Sequence, residues 1–260
     1  GTNENAVSFT FTAAEVGATY NYTFTSSGGG GSVTGSGTIT EAGQIISGIN
    51  LSTLPDGSIT LSVTLTDING NLGSAVTDTA TKDTAAPSGY SVEINQDPIN
   101  SGNETAVSFT FTAAEVGATY NYSFTSDGGG GSVANSGTII GAGETISGIN
   151  LSGLADGTLT LSVTLTDING NLGSAVTNTK TKDTAAPSGY SVEINQDPIN
   201  GANETAVSFT FTSAEVGATY NYSFTSDGGG GSVANSGTVA SAGQTISGIN
   251  LSGLPDGTIT

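Results

Sequence analysis

The sequence repeats with a period of 100 residues, and this constrains the possible folds more than any other feature. The segment AVSFTFTAAEVGATYNY begins at Ala6 and again, unchanged, at Ala106. Of positions 1–100, 83 recur at 101–200 without insertion or deletion. Solenoid repeats are much shorter, about 20–45 residues, whereas compact domains have typical lengths of roughly 100–150 residues. Each repeat is therefore predicted to be one small domain.

Alternating apolar and polar residues predict that the domain is all-β. Val107, Phe109 and Phe111 alternate with Ser and Thr, and Leu159 and Leu161 begin a second such run. A period of two is typical of a half-buried antiparallel strand. Each repeat contains about seven or eight such short runs separated by turn residues, with no helical periodicity of useful length. This pattern predicts a β-sandwich of Greek-key topology.

The domain boundaries are predicted at two Pro-containing linkers, residues 82–88 and 182–188. Pro fixes φ and lacks an N–H donor, so it ends one ladder before the next begins. The predicted domains are 1–84, which lacks its first strand, 85–184, which is complete, and 185–260, which lacks its last strands. The natural chain is therefore expected to continue in both directions, and neighbouring repeats are expected to touch because the linkers are short.

The composition excludes several classes of function. The chain has 22 acidic and 3 basic residues, a net charge of −19, and neither His nor Cys. Nucleic acids and anionic membranes bind surfaces rich in Lys and Arg, so no nucleic-acid partner is predicted. No apolar run approaches the roughly 18 residues of a membrane-spanning helix, so no direct membrane insertion is predicted. Without His or Cys, and with carboxylates scattered over loops, the chain is not predicted to be an enzyme.

Two short motifs resemble those of bacterial immunoglobulin-like repeats. TDINGN at 66–71 is followed by KDTAAP at 82–87, and both motifs recur 100 residues later. In that family an Asp-x-x-Gly-Asn turn precedes an Asp-Thr-x-Ala-Pro boundary. The resemblance implies tandem immunoglobulin-like β-sandwich domains, joined end to end, from the stalk or extender region of a giant bacterial surface adhesin. Calcium-dependent extenders and the gliding adhesins of the Bacteroidota are examples, so an extracellular, cell-surface location is implied.

The same motifs suggest a calcium site at each junction between repeats. Asp and Asn offer the hard oxygen ligands that Ca²⁺ prefers. In an immunoglobulin-like sandwich the penultimate hairpin of one domain meets the exit loops of the domain before it, and carboxylates gathered there repel unless a cation lies between them. The first predicted ligand set comprises Asp56, Asp83, Asp167, Asn169 and Asn171. The second set comprises Asp97, Asp156 and Asp183.

Simpler interpretations remain open for these residues. The Asn-Gly pair within residues 167–171 is typical of a hairpin turn that needs no metal, and loop carboxylates can simply be solvated. The four glycines at 128–131 lack the Lys and the helix of a phosphate-binding loop, so a flexible hairpin loop is predicted. Lys82 and Lys182 suggest either an isopeptide cross-link or, with better support, a charge that discourages pairing along the edge of the last strand.

The sequence thus favours a structural stalk whose partners are the neighbouring repeats of the same chain. Its loops are copied almost as faithfully as its strands, although a binding module usually diversifies its loops. One alternative is a multivalent carbohydrate- or surface-binding module that uses exposed rims near Thr112 or Tyr122. A second alternative is a fibre in which strands are exchanged between chains.

Overall fold

The computed structural model describes residues 3–260, in which strands are the only regular secondary structure. Among these residues there is no helix that is long and apolar enough to cross a membrane. The chain divides into two compact units, residues 1–184 and 185–260. Within them we call residues 3–84 repeat 1, residues 85–184 repeat 2 and residues 185–260 repeat 3.

Repeat 1 contains six strands in two antiparallel sheets. The strands are β1 (Val7–Thr10), β2 (Thr19–Ser26), β3 (Gly29–Thr38), β4 (Ile45–Ile49), β5 (Gly57–Thr66) and β6 (Val76–Lys82). One sheet is the pair β1-β4, and the other has the order β3-β2-β5-β6.

Repeat 2 contains seven strands and the fullest sandwich. The strands are β7 (Ser91–Ile94), β8 (Val107–Thr112), β9 (Thr119–Ser126), β10 (Ser132–Thr138), β11 (Thr145–Ile149), β12 (Gly157–Thr166) and β13 (Val176–Lys182). One sheet has the order β11-β8-β7 and the other the order β10-β9-β12-β13. Consecutive strands cross between the sheets after β8, β10 and β11, which is a Greek-key sandwich. The all-β, immunoglobulin-like fold class is confirmed.

Repeat 3 forms the second unit and contains five strands. They are β14 (Ser191–Ile194), β15 (Val207–Thr212), β16 (Thr219–Ser226), β17 (Gly229–Thr238) and β18 (Thr245–Ile249). The sheets are β14-β15-β18 and β16-β17. The proposed limits of the three domains stay a prediction, although the sheets lie within those limits.

The core of repeat 2 lies between its two sheets. Phe109, Phe124 and Leu161 have no measurable solvent exposure, and the burial of β12 alternates residue by residue. The ring of Phe109 meets that of Tyr122 edge-on at 5.2 Å between centroids, a favourable geometry for aromatic pairs. Tyr122 is 7% exposed. The expectation that Tyr122 lies on an exposed rim is therefore wrong, because the alternation of β9 turns this ring inward.

Two local details differ from the sequence prediction. The apolar run across 146–154 forms a strand only as far as Ile149, because the Asn150 side chain accepts a hydrogen bond from the Ser152 amide at 3.0 Å and turns the chain. In repeat 1 the glycine run is not wholly loop, since β3 begins at Gly29. A Cβ on Gly30 would lie 2.5 Å from Pro55 Cδ, so this glycine permits a close approach rather than simple flexibility.

Candidate functional site at the junction of repeats 1 and 2

The hairpin between β12 and β13 begins with a tight turn at residues 167–171. One carboxylate oxygen of Asp167 accepts hydrogen bonds from the amides of Asn169 at 2.9 Å and Asn171 at 2.7 Å. Gly170 takes the positive φ of 86° that the turn requires. Burial alone would raise the pKa of Asp167, but the hydrogen bonds from Asn171 and Asn169 outweigh it and lower that pKa. The turn is thus built around an ionised aspartate.

The linker after repeat 1 is hydrogen-bonded to this turn. The Asn169 side-chain amide donates to Asp83 Oδ2 at 2.6 Å, and the Asn171 side-chain amide donates to the carbonyl oxygen of Asp83 at 3.1 Å. Asn171 also donates to Asp167 Oδ2 at 2.8 Å. Four of the five residues predicted for the first junction therefore lie in one hydrogen-bonded cluster, which we call the junction cluster: Asp83, Asp167, Asn169 and Asn171.

Asp56, the fifth predicted residue, binds the linker at the next position. Its carboxylate accepts hydrogen bonds from the Thr84 amide at 2.9 Å and from the Thr84 hydroxyl at 3.0 Å. The Thr84 amide is the largest cause that lowers the pKa of Asp56. Asp56 thus fixes the end of its own repeat, while the neighbouring Asp83 is fixed by the following repeat.

The second predicted set is divided between different partners. The Asp156 carboxylate accepts a hydrogen bond from the Thr184 amide, as Asp56 does from the Thr84 amide. It also accepts one from the ammonium of Lys182. Asp97 forms an ion pair with Lys180 at 3.0 Å. The backbone amide of Asp183 donates to the carbonyl of Ile99 at 2.9 Å. Asp97 and Asp156 therefore bind two different lysines of β13 within repeat 2.

The junction cluster has the right kinds of atom for Ca²⁺, but its amide groups are turned for hydrogen bonding. Residues 3–260 contain no group of three or more His, Cys, Asp or Glu side chains placed to hold a metal ion. The junction cluster offers the carboxylates of Asp83 and Asp167, the Asp83 carbonyl and two amide groups. The amides of Asn169 and Asn171 currently present nitrogen to these oxygens. Rotating them by 180° would present oxygen instead, as Ca²⁺ requires.

The linker continues along the same hairpin as far as Tyr90. The Tyr90 hydroxyl donates to the carbonyl of Ser174 at 2.6 Å and accepts from the Leu165 amide at 3.2 Å. Tyr90 is 6% exposed, and its burial raises the pKa of the phenol. Between these contacts a Cβ on Gly173 would lie 2.4 Å from the carbonyl oxygen of Pro87. The linker is therefore packed against repeat 2 from Asp83 to Tyr90.

We expect Gly173→Ala to loosen the linker from the hairpin, because the new methyl group must displace the backbone at Pro87. Gly73→Ala is the matched control, since its Cβ would come no closer than 3.3 Å, to the carbonyl of Leu65. Hydrogen exchange of the amides in residues 84–90 checks this. Exchange should rise several-fold in Gly173→Ala and stay unchanged in Gly73→Ala; equal exchange in the two variants would contradict the packing.

Lys182 is a buried anchor that the sequence did not reveal. Its side chain is 3% exposed, and its ammonium contacts Glu104 at 2.9 Å, Asp156 at 3.3 Å and the Leu154 carbonyl at 2.9 Å. Burial acts to lower the pKa of Lys182, but the hydrogen bonds that its ammonium donates to Glu104 and Asp156 outweigh it and raise that pKa. A lysine held as the ammonium lacks the lone pair that an isopeptide bond requires.

The interpretation of Lys182 as an exposed charge guarding a strand edge is therefore wrong. Lys82 repeats the anchor in repeat 1, where it binds Glu4 at 2.9 Å and lies 3.9 Å from Asp56. The signal that was available in the sequence is the recurrence of each Lys with a Glu 78 positions before it. Spacing of this length predicts a contact only once the strand order is known.

Comparisons with known proteins give structural likenesses only. No protein-family model and no curated protein matches the chain. Among solved structures, the tetra-tandem repeat in the extending region of a large adhesion protein is 23% identical with a TM-score of 0.36, over 98% of this chain and 65% of that one. A structure from a 1.5-MDa bacterial ice-binding adhesin is 22% identical with a TM-score of 0.46, over 95% of this chain and 81% of that one.

A third likeness lies outside bacteria. The FN1-FN3 domains of chicken CNTN1 are 11% identical with a TM-score of 0.30, over 95% of this chain and 85% of that one. The first and the third are tandem domains, and the first two come from large adhesion proteins. The chain spans about 65% of the length of the first of them.

Proposed function

We propose that this chain is a stalk segment of a large bacterial cell-surface adhesin, and that it holds a binding region away from the cell. The observation that carries the proposal is the junction between repeats 1 and 2. There the linker is bound along residues 83–90 by the hairpin of the following repeat, through Asn169, Asn171 and Tyr90. A linker fixed in this way transmits orientation from one repeat to the next, as a stalk requires.

The distribution of ionisable groups supports a structural role. The carboxylates with lowered pKa values accept hydrogen bonds from turn or linker residues: Asp56, Asp67, Asp156 and Asp167. The lysine with a raised pKa, Lys182, anchors the end of a strand. Perturbed pKa values often mark active sites, but structural networks perturb them too. Here each perturbed carboxylate is already engaged in holding a turn or a linker.

The stalk function predicts a narrow distribution of distances between repeats 1 and 2. The chain has no cysteine, so the double variant Thr64→Cys, Thr164→Cys provides one site for a spin label on each repeat. Double electron–electron resonance then measures the distance between the two labels. We expect one narrow distance peak. Asn169→Ala with Asn171→Ala should broaden it, because these changes remove the amides that bind Asp83.

The matched control is Asn69→Ala with Asn71→Ala, which alters the same turn in repeat 1, away from the junction of repeats 1 and 2. These changes should leave the peak narrow. A broad distribution in the parent chain would contradict the stalk proposal, and so would equal broadening by both pairs of changes.

We propose in addition that Ca²⁺ stiffens the junction by binding the junction cluster. Two carboxylates and a carbonyl already lie there within one hydrogen-bonded group, and Asp83 and Asp167 repel each other less when a cation lies between them. In millimolar Ca²⁺ the chain should melt several degrees higher than in EDTA. Asp83→Asn should reduce that difference, while Asp78→Asn, on an exposed part of β6, should not. Identical melting in Ca²⁺ and EDTA would contradict calcium binding.

The alternative of a carbohydrate-binding module now points to a different surface. The outer face of the sheet β10-β9-β12-β13 carries hydroxyl and amide side chains in register, such as Ser123 opposite Ser162 and Thr125 opposite Thr160. Uncharged hydroxyl groups suit hydrogen bonding to a polysaccharide. A glycan array tests this alternative: binding that Ser162→Lys abolishes would favour it, and a blank array would favour the stalk alone.

A further inference from the structure

The turn at residues 167–171 contains an Asn-Gly pair that is exposed to solvent. Asn169 is followed directly by Gly170, and both residues are exposed. Other residues shield their own backbone nitrogen with a side chain, but glycine has none. A Cβ built on Gly170 would meet no atom within 4 Å, so the turn is open to water on this side. Asn is chemically labile, and a following glycine leaves its side-chain amide open to attack.

The reaction open to such a pair is deamidation. The backbone nitrogen of Gly170 attacks the side-chain carbonyl carbon of Asn169 and gives up its proton. A C–N bond forms, the bond from that carbon to Nδ2 breaks, and ammonia leaves. Water then opens the five-membered imide ring at either of its carbonyl groups, so residue 169 becomes aspartate or isoaspartate. One water is consumed and one ammonia is released, and the reaction needs neither an oxidant nor a reductant.

Two contacts restrain the reacting groups while the linker is bound. The Asn169 side-chain amide donates to Asp83 Oδ2 at 2.6 Å, which fixes the direction of the side chain. The Gly170 amide donates to the carbonyl oxygen of Asp167 at 3.2 Å, which engages the attacking nitrogen. The second bond is at the long end of the usual range, so the contact with Asp83 is the stronger restraint. Loss of the linker therefore frees the side chain to turn toward Gly170.

The product of the reaction cannot restore the contact that the amide made. An amide nitrogen donates hydrogen bonds, whereas a carboxylate only accepts them. Residue 169 would then face Asp83 as a second acceptor of the same charge, and the ionised Asp167 lies in the same turn. Like charges gathered in this way repel one another. Isoaspartate also lengthens the main chain by one carbon, inside a turn whose amides at residues 169 and 171 bind one Asp167 oxygen at 2.9 and 2.7 Å.

We propose that Asn169 is a site of spontaneous deamidation and that the linker controls the reaction. The reaction is slow while Asp83 holds the side chain and faster once the linker leaves the hairpin. Because the product repels Asp83, each event leaves the junction open, and the modified fraction increases with the time that the junction has spent open. The site is thus a one-way switch between a bound and a released linker. The inference rests on the contacts of the junction cluster and holds whether or not the chain serves as a stalk.

The other asparagine of the junction cluster is not an equivalent site. Asn171 is 6% exposed, and its side-chain amide donates both to Asp167 Oδ2 and to the carbonyl oxygen of Asp83. It is followed by Leu172, whose branched side chain hinders attack by the backbone nitrogen. Asn171 is therefore expected to keep its amide, so the reaction in this turn is confined to Asn169.

Peptide mapping of the aged full chain measures the reaction at this site. Cleavage after Glu releases residues 145–193, which contain Asn169 and differ in sequence from the corresponding residues 42–93. Deamidation raises the peptide mass by the difference between a hydroxyl and an amino group, and fragmentation assigns the modified residue. After several weeks at neutral pH, Asp83→Ala should show several-fold more deamidation at Asn169 than the parent chain, because the restraint on the side chain is gone.

Two controls separate the junction from general instability. Asp78→Ala alters an exposed aspartate of β6 and should leave the rate at Asn169 unchanged. Asn200 is also followed by glycine, and its side chain accepts a hydrogen bond from the Ala202 amide of its own loop at 2.9 Å. Its rate, measured on the peptide 194–204, should be the same in all three chains. Equal rates at Asn169 in the parent and Asp83→Ala would overturn the proposal, and so would a rate at Asn200 that rises with that at Asn169.

The effect on the linker requires a separate measurement. Asn169→Asp reproduces one product of the reaction, and hydrogen exchange of the amides in residues 84–90 should rise several-fold in this variant. Asn200→Asp is the matched control and should leave that exchange unchanged. Circular dichroism checks that both variants remain folded. Unchanged exchange in Asn169→Asp would overturn the switch, whereas the spin-label distances of the parent chain test the stalk proposal independently.

Discussion

Phe109→Ala is expected to lower the free energy of unfolding of repeat 2 by about 3–5 kcal/mol, the usual cost of removing a buried phenylalanine ring. Phe109 has no solvent exposure and meets Phe111, Tyr122 and Phe124 within 5.2–6.2 Å between ring centroids. The cavity would lie between two sheets that are both held by hydrogen-bonded ladders, so the surrounding residues cannot collapse fully. In calorimetry the transition of repeat 2 should move down by more than about 10 °C.

Phe9→Ala is the matched control for this change. Phe9 occupies the same position in repeat 1 and contacts Phe11, Tyr22 and Phe24 in similar geometry. Because Phe9 is only half-buried, its removal should cost less than half as much. Equal decreases in the melting temperature for the two variants would show that β7, the strand that pairs with β8, does not complete the core. The comparison holds sequence constant and varies only the tertiary environment.

Lys182→Met is expected to destabilise repeat 2 by about 2–4 kcal/mol, because removing one partner of a buried ion pair leaves the other uncompensated. Glu104 is 17% exposed at its side chain and would lose its cation, and the Leu154 carbonyl would lose its donor. Lys180→Met is the control, since its partner Asp97 is 63% exposed and such pairs contribute less than about 1 kcal/mol. Urea denaturation, monitored by tyrosine fluorescence, measures the free energy of unfolding of both variants. Equal losses of stability in the two would contradict the role of Lys182 as a buried anchor.

The pH dependence of the melting temperature should show the contribution of Lys182 as well. Hydrogen bonds that the Lys182 ammonium donates to Glu104 and Asp156 outweigh burial and raise the pKa of Lys182 in the folded chain. Its contribution is therefore fully present below the unfolded pKa of about 10.4 and is lost as the pH rises through the higher folded value. Melting temperature should fall above about pH 10.5 in the parent chain. Tyrosines titrate in the same pH range. The contribution of Lys182 is therefore the difference between the decrease in melting temperature of the parent chain and that of Lys182→Met.

Asp156 should act in the opposite direction. The Thr184 amide is the largest cause that lowers its pKa. Its contribution is therefore present above the unfolded pKa of about 3.9 and is lost as the pH falls through the lower folded value. Asp156→Asn should flatten the acid side of the melting profile and leave the alkaline side governed by Lys182. A profile unchanged on both sides would contradict the assigned contacts.

The candidate site was partly visible in the sequence. The Asp-Ile-Asn-Gly-Asn motif identifies a turn, since Asp side chains and an Asn-Gly pair have strong local preferences. Family topology placed that turn beside Asp83. The predicted ligand set also includes Asp56, whose carboxylate accepts a hydrogen bond from the Thr84 amide; which of two adjacent linker residues a carboxylate binds depends on side-chain geometry. The sequence does not predict the role of Lys182, since a charged residue in a Thr-rich strand gives no local sign of burial.

The sequence by itself determined the repeat length, the all-β class and the inward face of each strand. These properties follow from the pleat of a strand, which turns alternate side chains to opposite faces whatever lies beyond. The tertiary structure alone decided how deeply each inward side chain is buried. Val92 and Val192 share one sequence context, yet one is 6% and the other 58% exposed. Burial depends on strands that are distant along the chain, so identical segments differ wherever their neighbours differ.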